Sequence, residues 1–130
     1  MPFNLSDKSI LVADDSAIMR MFLVMNMRRM MRVNITEAVN GQDALTKLMH
    51  GKYDLLLTDM NMPEMGGAEL IRCVRTGLNS DIPIVIITTK GEMKDRELGM
   101  SLGANSYLTK PVDVKELIKT ILKYLGGYTF

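Results

Sequence analysis

The sequence predicts an α/β domain in which helices cover both faces of a parallel β-sheet. Short β-type runs alternate with helical stretches five times, and no stretch rich in proline, glycine or serine divides the chain. A length of 130 residues with 47% apolar residues suits one domain with a sizeable core. Right-handed crossovers then bring the carboxyl ends of all the strands to the same edge of the sheet.

The first half of the chain predicts two strands and two helices. A short buried strand, SILVAD at 9–14, is followed by a helix at 17–31 that holds many of the 13 methionines. VNITEA at 33–38 is rich in β-branched residues and leads into the turn signal VNG. A helical stripe of apolar residues over 42–50 then stops at Gly51. We expect the methionines mainly to fill the core, although such a helix can also expose adaptable surface.

The second half continues the alternation. YDLLLTD at 53–59 is the third strand, and Leu70, Ile71 and Val74 mark the helix after it. The other elements are a continuous β-type run at 82–88 that suits a central strand buried on both faces, a polar helix at about 92–102, and a fifth strand at 106–110. In the last helix, apolar residues repeat at three and four from Val114 to Leu125, with Asp113 as its N-cap and Glu116 placed to reach back to the backbone.

Composition excludes several classes of protein. Sixteen Lys and Arg residues against fifteen Asp and Glu leave a net charge of +1, which gives no reason to expect nucleic acid binding. The single cysteine, Cys73, cannot form an internal disulfide. No apolar stretch approaches the roughly 18 residues of a membrane span, and the first residues lack the features of a signal peptide. We therefore expect a cytoplasmic domain with no membrane association.

Polar side chains follow four of the five predicted strands and should meet at one edge of the sheet. They are Asp14 and Asp15 after the first strand, Asp59 after the third, Thr88 and Thr89 after the fourth, and Lys110 after the fifth. Neighbouring carboxylates repel one another, and a hard divalent cation such as Mg²⁺ relieves that repulsion. A lysine and a hydroxyl then suit a phosphoryl group. A single strand-end aspartate is more often a cap, but the cluster favours a functional site.

Four motifs in their order, LVADDS, LLLTDMNMPEMGG, IVIITT and YLTKPV, resemble the receiver domain of two-component response regulators. The layout is most similar to the stand-alone chemotaxis type. The resemblance covers almost the whole chain and implies a single receiver domain over 1–130, with no separate output domain. It also implies the flavodoxin-like fold, a doubly wound (βα)5 arrangement with strand order 2-1-3-4-5.

The resemblance implies a phosphoryl-accepting site built around Asp59. Asp59 matches the aspartate that receives the phosphoryl group from a histidine kinase. Asp14 and Asp15 match the acidic pair that holds Mg²⁺, with Mn²⁺ as a substitute, together with Asp59. Asn61 matches the residue whose backbone carbonyl completes the metal site.

Further matches imply groups that stabilise the phosphate or report its presence. Thr88 matches the hydroxyl that moves toward the phosphate, and Lys110 matches the cation that pairs with it. Tyr107 matches an aromatic switch residue that is buried in the active state. The bond between Lys110 and Pro111 matches one that is typically cis in this family.

A last group of positions is expected to tune rates. Asn61 and Lys90 stand where the family adjusts loss of the phosphoryl group. Thr89 is bulkier than the residue that the family favours beside the phosphate. Gly66 replaces a common Asp or Asn, which removes a helix cap that we expect to be worth a few tenths of a kcal/mol.

The leading hypothesis is a signalling switch that catalyses its own phosphorylation and dephosphorylation and does not turn over a separate substrate. Phosphorylation at Asp59 would favour one of two conformations, which then binds a partner through the last strand and its flanking helices. A flagellar motor switch protein is the preferred partner, and a monomer is expected, with a dimer through the first helix left open. The alternatives are a binding module that works without phosphate and a phosphatase or phosphotransferase with an aspartyl-phosphate intermediate. The second requires an acid at the position of Asn61.

Overall fold

Strands and helices alternate along the chain in the computed structural model, which describes residues 2–89 and 91–126. The strands are β1 (Phe3–Ala13), β2 (Met31–Ala38), β3 (Leu55–Asp59), β4 (Ile84–Thr89) and β5 (Ser106–Lys110). The helices are α1 (Ala17–Met30), α2 (Gly41–His50), α3 (Gly67–Arg72), α4 (Met93–Leu102) and α5 (Val114–Leu125), with a π-helical turn, Cys73–Gly77, continuing α3. All strand pairs are parallel, and the sheet order is β2-β1-β3-β4-β5. The predicted fold class is confirmed, strand order included.

The middle strand, β3, is buried on both faces because helices cover both sides of the sheet. Leu55 and Leu57 pack into a core with α1 and α5, whereas Leu56 faces a second core with α2 and α3. Every residue of β3 is buried, which explains why this strand reads as a continuous apolar run up to Asp59. The strand is therefore a rigid support for the acid at its end.

The strand β1 begins six residues earlier than the sequence predicts. Its first residues, Phe3 to Leu5, pair with the start of β2, and the register then shifts between Leu5 and Ser9. The polar residues 6–8 interrupt the apolar pattern at this irregularity, so the sequence shows only the second half of the strand as β-type.

The first helix divides its methionines between core and surface. Met27 is fully buried, as expected, and so is Met31 at the start of β2. Other apolar residues spaced along one face of α1 lie in solvent: Ile18 is 81% exposed, Met21 59%, Phe22 37% and Met25 57%. We call these four residues the α1 stripe. The expectation that the helix mainly fills the core is therefore correct for only part of it.

Helix caps explain where several elements begin. Ser16 Oγ accepts a hydrogen bond from the Met19 backbone N–H, and the predicted N-cap Asp113 accepts one from Lys115. Gly66 occupies the N-cap position of α3 and makes no side-chain hydrogen bond there. Among the helices of the described residues, none is long and apolar enough to cross a membrane.

Candidate functional site

Three carboxylates meet at the carboxyl edge of the sheet. The register pairs Ala13 of β1 with Thr58 of β3, so the residues that follow, Asp14 and Asp59, emerge side by side. One carboxylate oxygen from each of Asp14, Asp15 and Asp59 lies within 4.8 Å of the other two. Asp14 and Asp59 are only 1% and 5% exposed, while Asp15 is exposed to solvent. The structure therefore brings the predicted acidic cluster together.

One oxygen of Asp14 is buried without a donor. Asp14 Oδ1 accepts a hydrogen bond of 2.9 Å from the Ser16 backbone N–H. Asp14 Oδ2 is buried and has no hydrogen-bond partner among the described residues. An unsatisfied anionic oxygen in a buried position is costly. Hard divalent cations prefer carboxylate oxygens as ligands, so the donor set fits such an ion.

Lys110 supplies the positive charge of the cluster. Its Nζ lies 3.4 Å from Asp59 Oδ1 and 3.7 Å from Asp14 Oδ2. The parallel pairing of Thr89 with Lys110 places this ammonium at the same edge of the sheet as the acids. The ammonium forms ion pairs with two of the three carboxylates, so the cluster keeps an excess of negative charge.

Burial raises the pKa of the Asp59 carboxyl above its ordinary value, and the neighbouring charge of Asp14 raises it further. The Lys110 ammonium and a hydrogen bond from the Met60 backbone N–H act in the opposite direction but do not cancel these effects. The charged form of Asp59 is therefore disfavoured until additional positive charge arrives.

The two threonines at the end of β4 differ in position. Thr88 is 2% exposed, and β4 runs directly beside β3, where Asp59 pairs with Ile87. Thr89 is exposed. A third threonine, Thr58, was not among the predicted site residues; its Oγ1 donates to the Asp59 backbone carbonyl over 2.9 Å. The sequence signal that could have indicated Thr58 is its hydroxyl within the otherwise apolar run of β3.

The Asn61 side chain is hydrogen-bonded to two carboxylates at the beginning of α4. Its Nδ2 donates to Glu92 Oε2 at 3.2 Å and to Asp95 Oδ2 at 3.1 Å, which ties the loop after β3 to the beginning of α4. The roles predicted for its carbonyl and side chain stay predictions. Lys90 lies outside the described residues, and so does any structural account of its predicted role.

Tyr107 lies on the surface beside α4. Its side chain is 40% exposed, and its hydroxyl accepts a hydrogen bond of 3.2 Å from Arg96 Nη1. The Arg96 guanidinium also lies 4.7 Å from the centre of the tyrosine ring. The aromatic ring therefore occupies an outward position in this structure.

The Lys110–Pro111 peptide bond is cis.

The backbone of α3 passes directly behind the acid. A Cβ atom at Gly67 would lie 2.5 Å from the Asp59 carbonyl oxygen and 2.8 Å from Met60 Cα. Both contacts are with backbone or Cα atoms that cannot move aside, so only glycine fits there.

A family model described as the response regulator receiver domain matches residues 10–122. The sensor protein EvgS of Escherichia coli K12 is 40% identical over 125 residues, which cover 95% of this chain and 10% of that protein. The chain thus spans about a tenth of the length of this curated relative.

Two solved structures share the fold over most of both chains. The chemotaxis response regulator CheY4 of Vibrio cholerae has a TM-score of 0.82 and 28% identity, with 91% of this chain and 98% of that chain covered. The receiver domain of Ssk1 from Saccharomyces cerevisiae, crystallised with the histidine phosphotransfer protein Ypd1, has a TM-score of 0.84 and 25% identity, with 92% and 89% covered. With these likenesses and the matched family model, the chain belongs to the response regulator receiver domain family.

Proposed function

We propose that this receiver domain is a switch that accepts a phosphoryl group on Asp59 and then binds a protein partner. The main observation is the Asp59 carboxylate at the end of a buried strand, with two acidic neighbours and the Lys110 ammonium 3.4 Å away. Receiver domains as a family accept phosphoryl groups from histidine kinases or phosphotransfer proteins. Asp59 is the last residue of the fully buried strand β3, and Lys110 Nζ lies nearer to its carboxylate than to that of Asp14, 3.4 Å against 3.7 Å. A fixed acceptor requires such a rigid placement.

The acidic cluster fits a divalent cation, Mg²⁺ first and Mn²⁺ as a substitute. Asp14, Asp15 and Asp59 would hold it, together with the backbone carbonyl of Asn61. Asp14 Oδ2 supports this fit, because it is a buried anionic oxygen that accepts no hydrogen bond from the described residues and has only the Lys110 ammonium, 3.7 Å away, as an ion-pair partner. When bound, such an ion supplies positive charge to the oxygens of the transferring phosphoryl group.

The side chains of the site suit direct transfer from a phosphohistidine. A carboxylate oxygen of Asp59 forms the new bond to phosphorus while the bond from phosphorus to the imidazole nitrogen breaks, and the imidazole leaves with the electron pair. Lys110, 3.4 Å from Asp59 Oδ1, would pair with the phosphoryl oxygens once Asp59 is phosphorylated to an acyl phosphate. The hydroxyl of Thr88, near the end of the neighbouring strand, would donate a hydrogen bond to one of those oxygens.

The phosphodonor docks, in this proposal, on the α1 stripe. A donor must bring its histidine to Asp59, so its contact surface must border the acidic loop. Ile18 is the third residue after Asp15, and it is 81% exposed. Exposed apolar residues clustered on one helix face are typical of protein contact surfaces. The yeast receiver that shares this fold was crystallised with a histidine phosphotransfer protein.

The output surface is the face around Tyr107, formed by β5 with α4 and α5. Burial of the ring on phosphorylation would change this face and so change its affinity for a partner. A flagellar motor switch protein in the cytoplasm is the first candidate, in keeping with the fold shared with CheY4. The 40% identity with the sensor protein EvgS favours a second candidate for the output partner. In that case the domain would act on a sensor protein and not on a motor protein.

The proposal is tested by intact mass spectrometry after incubation with Mg²⁺ and acetyl phosphate, and separately with a phosphorylated histidine phosphotransfer protein. We expect one added phosphoryl group on the wild type and none on Asp59→Asn or in EDTA. Asp81→Asn, which changes an exposed aspartate before β4, is the matched control and should react like the wild type. Failure of both donors to modify the wild type would favour a module that works without phosphate. Turnover of an added phosphomonoester would favour the phosphatase alternative.

A further inference from the structure

Arg20 connects the acidic loop to the edge strand β2. Its Nη1 donates to the main-chain carbonyl oxygen of Asp14 over 2.7 Å, and its Nε donates to Glu37 Oε1 over 3.0 Å. The Arg20 side chain is only 14% exposed, although it belongs to the first turn of α1. The two bonds use different nitrogens of the same planar group, so the guanidinium is held in one orientation.

The carbonyl that Arg20 binds belongs to the peptide group between Asp14 and Asp15. A hydrogen bond to that oxygen restricts rotation of the peptide plane, and this plane sets the directions in which both side chains leave the backbone. The other contacts of Asp14 hold the same loop: its N–H donates to the Ala38 carbonyl over 3.1 Å, and its Oδ1 accepts from Ser16. Two contacts from the end of β2 hold the loop, one from Glu37 through Arg20 and one from Ala38 directly. The Lys110 ammonium, 3.7 Å from Asp14 Oδ2, adds a third contact from β5.

We propose that Arg20 is a positioning residue for the divalent cation, because it fixes the peptide that orients the Asp14 and Asp15 carboxylates. This inference rests on the proposed function. Mg²⁺ demands nearly ideal ligand geometry, so a small rotation of the acidic loop weakens binding. Groups that orient metal ligands in this way typically change metal affinity 10- to 100-fold when they are replaced.

A lysine cannot replace Arg20 fully. Its ammonium is a single point donor and cannot reproduce the fork that contacts the Asp14 carbonyl and Glu37 together. The exposed ion pair with Glu37 contributes little stability by itself, since Glu37 is 48% exposed. The effect of replacing Arg20 should therefore appear in metal affinity far more than in folding stability.

The test is the Mg²⁺ dissociation constant of the full chain, measured by NMR titration for the wild type and for Arg20→Gln, Arg20→Lys and Arg29→Gln. Arg29→Gln removes the same charge from an exposed position near the other end of α1. We expect Arg20→Gln to weaken Mg²⁺ binding about tenfold, Arg20→Lys to fall between that variant and the wild type, and Arg29→Gln to stay within about twofold. In acetyl phosphate assays, the Mg²⁺ concentration for half-maximal rate should rise while the rate at saturating Mg²⁺ recovers.

Equal Mg²⁺ affinities for the Arg20 variants and Arg29→Gln would overturn the inference while leaving the proposed function intact. A wild type that binds no Mg²⁺ would overturn both. Thermal unfolding in EDTA shows which variants are folded. If Arg20→Gln does not fold, Arg20→Lys carries the test, because it keeps the charge and the aliphatic stem.

Discussion

At the scale of single residues, Asp59 is a nearly buried carboxylate beside a second buried carboxylate, Asp14. Lys110 compensates for only part of this arrangement, and the pKa of Asp59 stays above its ordinary value. The residue that would do the chemistry therefore destabilises the metal-free protein. Such a conflict between stability and activity is common at functional sites.

Asp59→Asn should stabilise the metal-free protein in a pH-dependent way. The raised pKa means that stability falls as pH rises from the ordinary aspartate pKa, about 4, through the pKa of folded Asp59, and is level above it. Asparagine removes this loss, so we expect a gain on the order of 1 kcal/mol at pH 7 and a smaller one near pH 4. Urea unfolding in EDTA at the two pH values measures the difference, with Asp81→Asn as control. The same gain at both pH values would show that the Asp59 charge is not the cause.

The acids and Lys110 could be predicted to converge because parallel strands bring their carboxyl ends to one edge, whatever the side-chain details. Arg20 could not be predicted, and the only signal for Thr58 was a hydroxyl within an apolar run. Their roles depend on hydrogen bonds to backbone carbonyls of the acidic residues, which no spacing in the sequence encodes. The direction of the Asn61 side chain was unpredictable for a similar reason, because it depends on where α4 begins.

Among the elements, α4 makes contacts both with the loop after β3 and with Tyr107. Asn61 is hydrogen-bonded to the first turn of α4 on one side, and Arg96 of the same helix contacts Tyr107 on the other. The helix packs on β4 through Gly99, which is buried. A displacement of this helix would therefore change the surroundings of both Asn61 and Tyr107.

Gly99→Ala should destabilise the protein although alanine is the better helix former. The new Cβ would lie 2.6 Å from Ile86 Cδ1, so either that side chain or the helix must shift. We expect a loss of about 1–3 kcal/mol in chemical unfolding. Gly77→Ala is the matched control, because a Cβ there meets nothing within 4 Å. If Gly99→Ala stabilised the protein as much as Gly77→Ala, helix propensity and not packing would decide the outcome at both positions.

Arg96→Gln should release Tyr107 from its outward position. The substitution removes the guanidinium above the ring and weakens the hydrogen bond to the hydroxyl. Such contacts at exposed sites are worth about 0.5–1 kcal/mol, so the ratio of inward to outward ring should rise a few-fold. Ring proton chemical shifts report the change. Lys123→Gln removes the corresponding contact with Tyr124 and should leave the Tyr107 signals unchanged.

Element boundaries were predictable where apolar periodicity is unbroken. The fifth strand and the last helix begin and end close to the predicted residues because their patterns have no competing interpretation. The beginning of β1 was missed because its pairing with β2 includes a register shift across polar residues. Stabilisation there comes from backbone pairing with a distant segment, which side-chain patterning does not record.

On the scale of the whole molecule, the α1 stripe and the surface around Tyr107 differ in character and in position. The α1 stripe is apolar and begins beside the acidic loop. The surface around Tyr107 belongs to β5, the outermost strand on one side of the sheet. The strand that leads into α1, β1, lies next to the outermost strand on the other side. A donor and an output partner could therefore contact different surfaces of the domain.

Ile18→Glu should slow phosphoryl transfer from a histidine phosphotransfer protein and leave the reaction with acetyl phosphate unchanged. A charge in the α1 stripe disrupts an apolar protein contact, for which we expect at least a tenfold loss in transfer rate. Met49→Glu, at an exposed apolar position on α2, is the control. Equal slowing with both donors would mean that the site itself is disturbed. An unchanged rate with the protein donor would exclude the α1 stripe as its contact surface.

Gly67 shows that a rigidly held acid constrains the choice of residue at positions that take no part in chemistry. The wall behind Asp59 has no room for a methyl group, and the atoms that would be struck are backbone. In a library in which every position is replaced in turn, Gly67 should therefore tolerate substitution as poorly as the carboxylates do. A ranking of positions by tolerance would outline the wall of the site as well as its reactive groups, and it would not by itself distinguish the two.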